Sequence, residues 1–255
     1  MIKQILTPFG ENDKKTRIGI ILFWIVLALG SFELFHSKII PPPSKIAGSI
    51  GNLLSSNEFY EDLVASLITT TKAMFFSIII TVIVVYLSVI QLFKPVAEFI
   101  SKCRYLTLTG LIFVFTVLSK DTAELKMYLL IFGIVPFFVT SFYSVIHSAP
   151  IEERWKAYVN KLGSWGALYE TVVIGKLDML FEVMRQNFAI SWMMITMVEG
   201  YAMSEGGIGT LLIKSNKYLD LGPVFAMLVI VLVLGLLFDF GLSALRKILF
   251  PYLSK

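Results

Sequence analysis

The sequence predicts an all-α polytopic membrane protein, and three observations carry that reading. Of 255 residues, 56% are hydrophobic and only 16% charged, giving a mean hydropathy of +0.79. A soluble domain would precipitate if it exposed such a surplus of apolar surface. The apolar residues fall in blocks, most near the ~18–20 residues that a helix needs to cross a roughly 30 Å hydrocarbon core. Basic residues gather on alternate connections between those blocks. Residues 1–255 read as a single transmembrane domain, too short to add a separate soluble module.

Six runs are candidate crossings: Ile18–Phe35, Ser66–Phe93, Tyr105–Leu118, Met127–His147, Asn187–Met203 and Leu221–Ala244. Residues 1–17 are polar and mixed in charge. The run from Ile18 is too long for a signal-peptide core and has no small-residue cleavage site, so it reads as an anchor that stays. In the 36–65 segment, Ile39-Ile40-Pro41-Pro42-Pro43-Ser44 is a rigid breaker, because proline fixes φ and lacks an amide donor. Ser44 is placed to cap a following helix whose Ile46, Ile50, Leu53 and Leu54 keep helical spacing; it is expected to lie on the outer interface. The Tyr105–Leu118 run is short, and is accommodated by tilt, by shielding neighbours, or by snorkelling at Arg104 and Lys120. Residues 148–186 are polar. The 245–255 tail, with Arg246-Lys247-Ile248-Leu249-Phe250-Pro251-Tyr252, has the composition of an inner-interface anchor.

With the N-terminus inside, the inner side holds fifteen Lys and Arg residues and the outer side six, Lys72 lying within a span. This positive-inside bias predicts both termini, and the 148–186 loop, in the cytoplasm.

That loop carries Arg154, Lys156, Lys161, Lys176 and Arg185 against Glu152, Glu153, Glu170 and Asp178. Leu162-Gly163-Ser164 forms a joint at its middle, since glycine lets one short helix end and another begin at an angle. Trp165, Leu168, Tyr169, Val172 and Val173 then recur at three- and four-residue intervals, an apolar face for a docking partner or for the membrane surface.

Ionisable and hydroxyl groups within spans mark pathway candidates. Glu199, near the outer end of the fifth run, fits either a gate or a structural pairing with a neighbouring helix. Glu33 and Asp239 sit close enough to span ends to reach the interface. Lys72 either snorkels or supplies positive charge to an anionic solute. Thr69-Thr70-Thr71, Ser77 and Thr81, with Ser141, Ser191 and Thr196, either line a polar route or glue helices together.

Catalytic chemistry is not indicated. Gly206-Gly207-Ile208-Gly209-Thr210 lacks the lysine of a phosphate loop and reads as a tight turn, so no cofactor is expected on this chain. The single Cys103 excludes an intrachain disulfide, His36 and His147 are far apart in sequence, and the basic residues follow a membrane face instead of a nucleic-acid stripe.

From Ile40 to Tyr252 the chain resembles the inner-membrane permease subunits of ATP-binding-cassette importers, in particular the nitrate/sulfonate/taurine group. The resemblance rests on Pro41-Pro42-Pro43-Ser44, on Ser66-Leu67 opening the next span, and on Ser119-Lys120 followed by Phe132 to Thr140 with Pro136. It continues with Arg185, Trp192 and Glu199 spaced seven and seven, Ser204-Glu205-Gly206-Gly207-Ile208-Gly209 with Leu211, Leu212 and Ile213, and Asp239, Arg246 and Pro251-Tyr252. Such permeases carry Glu-Ala-Ala, three residues, Gly, nine residues, Ile-x-Leu-Pro in the cytoplasmic loop. Anchoring on Gly163 sets Ala157, Tyr158 and Val159 at the first triplet and Val173, Ile174, Gly175 and Lys176 at the end. The match therefore departs at Ala157 and at Gly175-Lys176.

The resemblance implies a type I importer permease working as a homodimer in a bacterial inner membrane. A cytoplasmic ATPase dimer holding ATP and Mg would dock on the loop, and a periplasmic or lipid-anchored binding protein would deliver a small anion. An ion-gradient-driven transporter or channel, or a permease for a vitamin precursor, is the alternative.

Overall fold

The structure is a computed structural model and describes residues 14–34, 41–147, 165–166 and 169–251. Among these it is all-helical: α1 (Lys14–Leu34), α2 (Pro43–Leu54), α3 (Asn57–Leu87), α4 (Lys94–Lys102), α5 (Leu108–Leu118), α6 (Thr122–His147), α7 (Leu177–Tyr201), α8 (Ile208–Lys217) and α9 (Leu221–Leu249). α3, α6 and α9 are each long and apolar enough to cross a membrane. The chain is an all-α membrane protein.

α6 is the centre. Leu129, Leu130, Ile134, Phe138, Val139 and Phe142 are all buried on it, enclosed by α3, α4, α5 and α7. α3 turns inward a stripe of small residues, Ser66, Thr70, Ala73, Ser77 and Thr81. Small side chains let backbones approach closely where lipid offers no hydrophobic drive to pack. Gly133 serves α6 in the same way: a methyl there would press on Met194 of α7 and Leu108 of α5. α9 packs on α7, α2 and α8, yet Leu232, Leu236, Leu237 and Phe240 along it stay exposed. None of the described side chains of α1 is buried, and Phe23, Trp24 and Val26 are among those left uncovered.

Several boundaries differ from the sequence expectation. Tyr105–Leu118 is not one span. Tyr105 ends a 3-10 turn, Leu106 and Thr107 are extended, and α5 has only 11 residues, about 16 Å at 1.5 Å per residue. It pairs instead with Lys94–Tyr105 across a 111° bend, as a broken span or a re-entrant hairpin. α3 begins at Asn57 and ends at Leu87, before a turn that leads to Lys94. α6 and α7 begin five and ten residues earlier than expected, at Thr122 and Leu177, because polar first turns are supported by tertiary contacts that hydropathy cannot register. The basic tail likewise starts as helix, since α9 runs on to Leu249. Ser44 does not cap α2: Pro42 holds the cap position and Pro43 the first helical one, where a missing amide hydrogen is harmless. Ile46, Ile50 and Leu53 form the half-buried face of α2.

Candidate functional site

α7 carries Arg185, Trp192 and Glu199 at heptad spacing, so the three fall along one side of the helix. Each finds a different kind of partner.

At the head of α7, Glu199 is buried in a knot of polar groups. Ser66 Oγ on α3 donates to its two carboxylate oxygens at 2.7 and 2.9 Å, and Gly209 N–H donates to Oε2 at 3.0 Å. The same Ser66 hydroxyl accepts from Ile208 N–H at 3.0 Å, and Asp62 Oδ1, one turn earlier on α3, accepts from Gly207 N–H at 2.7 Å. Three successive amides at the start of α8 are thus met by Asp62, Ser66 and Glu199. Those amides have no intrahelical partner and carry the positive end of the helix dipole, so carboxylates are the favoured company. Lys126 Nζ, reaching from α6, donates to Gly206 O at 2.9 Å and lies within electrostatic reach of Glu199, Glu205 and Asp62. Thr210 Oγ1 bonds to both Gly206 O and Glu199 O at 3.0 Å.

The glycines make this geometry. Gly206 and Gly207 have φ of +68° and +109°, conformations that residues with a Cβ rarely adopt. A methyl at Gly207 would overlap the Glu199 carboxylate, and one at Gly209 the Thr196 carbonyl.

In the middle, Trp192 lies beside Gly235 and donates from Nε1 to Val231 O of α9 at 3.0 Å. At the foot, before the apolar stretch that starts at Asn187, an ion-pair network joins α7 to α9. Arg185 reaches Glu182 at 2.6 Å and Asp239 at 2.7 Å; Arg246 reaches Glu182 at 2.7 Å and Asp178 at 3.8 Å. Hydrogen bonding from Arg185 holds the Glu182 carboxyl below its ordinary range, and the same bond raises Arg185. The final residues of the polar segment read as a cytoplasmic loop are therefore helix, with Asp178, Glu182 and Arg185 engaged on α9.

Of the loop residues, Trp165 and Tyr169 are described and largely exposed, at 70% and 59%, Tyr169 opening a π-helical turn to Ile174. Tyr158, Leu162, Gly163, Ser164 and Leu168 lie outside the described residues, as does His36. Among the pathway candidates, Thr70 is buried and donates to Ser66 O at 2.8 Å, and Thr196 donates to Met193 O at 2.8 Å while its own carbonyl abuts Gly209. Both border the Glu199 knot. Ser77 is about 16 Å along α3 from Ser66, and its buried hydroxyl has no hydrogen-bond partner among the described residues. Half-buried Ser141 is about 22 Å along α6 from Lys126. Neither joins the knot. Lys72 is exposed, consistent with a snorkelling side chain. Asp62 and Lys126 escaped the sequence reading, which placed both outside the spans.

No protein-family model matches the chain, and no curated protein matches it significantly.

Proposed function

We propose that the chain is the membrane permease subunit of an ATP-driven importer. In this reading α1, α3, the α4–α5 pair, α6, α7 and α9 supply six crossings with both ends in the cytoplasm of a bacterial inner membrane. Two copies enclose the pathway. ATP and its Mg reside on a separate ATPase dimer docked on the 148–186 loop, and a binding protein delivers solute on the opposite side. A small anion such as a sulfonate, taurine or nitrate is the proposed cargo, with a vitamin precursor the closest alternative.

The observation that supports this best is the fastening of α7. The helix follows directly on the exposed Trp165 and Tyr169 segment. Its foot is tied to α9 through Arg185, and its head to α3 and the glycine turn through Glu199. Movement imposed at the foot by a docked motor would reach the knot through one rigid helix, as alternating access requires.

The buried Glu199 and Lys126 favour a second reading, an ion-gradient-driven transporter, because buried ionisable groups in a membrane protein are candidates for proton coupling. One experiment separates the two. The tagged chain is purified from its native membrane with whatever co-purifies, and placed in vesicles with candidate anions. A stoichiometric ATPase and uptake that requires ATP are the expected results. Gradient-driven uptake by the chain alone, without nucleotide, would sink the importer reading.

A further inference from the structure

Two cavities meet at the bend between α4 and α5. One, of about 430 Å³, is lined by Glu98, Ser101, Lys102, Arg104, Tyr105 and Tyr143. The other, of about 290 Å³, is mostly apolar, with Phe132, Pro136, Phe137, Met194 and Met197 in its wall. Arg104 lines both.

The first cavity carries an excess of positive charge, with Lys102 and Arg104 against the single carboxylate of Glu98. Glu98 accepts from Tyr143 Oη at 3.2 Å, whereas neither Lys102 nor Arg104 lies within ion-pair distance of a carboxylate among the described residues. Arg104 is oriented by its neighbour: its guanidinium stands 5.0 Å from the Tyr105 ring centroid and donates to Tyr105 Oη at 3.0 Å. That single bond leaves most of its N–H groups unengaged, an array suited to phosphate oxygens.

Depth supplies the second half. Tyr143 is four residues from the His147 end of α6, a helix long enough to span, so it stands about 6 Å inside that end. Pro136 and Phe137 are six to seven residues further along, about 10 Å deeper. Charge at the interface with an apolar slot roughly 10 Å below it is the profile of a lipid with an anionic head, and basic pockets between membrane helices hold such heads. A free phosphate would use only the upper cavity.

We propose that these cavities bind one anionic phospholipid, its phosphate at Lys102 and Arg104 and an acyl chain against Phe132, Phe137, Met194 and Met197. The proposal is independent of the transport reading.

The test uses the full chain in detergent, with native mass spectrometry and thermal melting as readouts. The probes are phosphatidylglycerol, phosphatidylcholine with the same chains, and glycerol phosphate without chains. Phosphatidylglycerol is expected to be retained and to raise the melting temperature, and the other two are not. Lys102→Ala with Arg104→Ala, at exposed positions, is expected to leave the lipid-free melting temperature unchanged and to weaken retention by roughly tenfold or more, from the attraction of two basic residues near a membrane surface. Met197→Trp, which fills the deeper slot and keeps both charges, is expected to weaken it as well. Equal retention of phosphatidylcholine, undiminished retention by the double variant, or the same thermal shift from glycerol phosphate alone would each overturn the proposal.

Discussion

Ser66 on α3 and Glu199 on α7 are joined by a hydroxyl that serves two masters: it donates to the carboxylate at 2.7 Å and accepts Ile208 N–H at 3.0 Å. Removing it strands the Ile208 amide and leaves the carboxylate with only the Gly209 N–H. Ser66→Ala is therefore expected to lower stability by about 1–3 kcal/mol, the cost of leaving buried polar groups unpaired. Denaturant unfolding in micelles measures it. Glu199→Gln keeps acceptor and shape, so the two changes combined are expected to lose less than the sum of the singles; strict additivity would mean the hydroxyl and carboxylate act independently.

The glycine turn offers a contrast between two methyl groups. Gly207→Ala meets both a positive φ and the Glu199 carboxylate, and is expected to destabilise by more than the ~1 kcal/mol that a backbone-compatible change would move stability. Gly48→Ala, in α2 with open space around it, is expected to be neutral or stabilising by up to about 1 kcal/mol, because alanine is the better helix former. Equal melting temperatures for the two variants would show that the turn tolerates a side chain.

Acid should loosen the foot of α7. Glu182 has its pKa lowered in the folded chain by the Arg185 hydrogen bond, so its charged form is favoured by folding. Its stabilisation is complete above the usual glutamate value near pH 4 and is lost as pH falls through the lowered folded value. The stability difference between wild type and Glu182→Gln is thus expected to be steady near neutral pH and to shrink below about pH 4. Added salt should narrow it as well, since these pairs are partly exposed. A difference that grew with acid would reverse the assignment.

Docking is expected to depend on residues that contribute little to folding. Trp165→Ala with Tyr169→Ala, at exposed positions, should change stability by no more than about 0.5 kcal/mol each and abolish co-purification of an ATPase. Gly163→Val should leave membrane insertion intact while separating ATP hydrolysis from transport. Unchanged uptake in that variant means that a joint at this glycine, expected from the sequence, is not used.

The all-α membrane class and the crossings of α3, α6 and α9 could be read in advance because apolar runs measure themselves against a bilayer. The heptad of Arg185, Trp192 and Glu199 and the Gly206-Gly207-Ile208-Gly209 turn were also visible, as residue types with few structural alternatives. Asp62 and Lys126 were not. Each lies in a polar first stretch of a helix, Asn57 to Ala65 of α3 and the opening of α6, which hydropathy assigns to a loop. Their placement makes sense only once the amides of α8 and the carbonyl of Gly206 are in place. The break at Leu106-Thr107 was equally hidden: no proline or glycine marks it, and the two extended residues are of types found in any helix.

The Glu199 knot also dictates an order of events during synthesis. Asp62 and Ser66 leave the ribosome first, Lys126 some sixty residues later, and the glycine turn about eighty residues after that. Until residue 209 has emerged, the α8 amide and the Gly206 carbonyl that Asp62 of α3 and Lys126 of α6 bind do not yet exist. The nascent chain must keep those two helix ends near the headgroups or within the insertion machinery, and only the arrival of α7 and α8 lets them settle. Assembly of this protein in the membrane is completed from its last third.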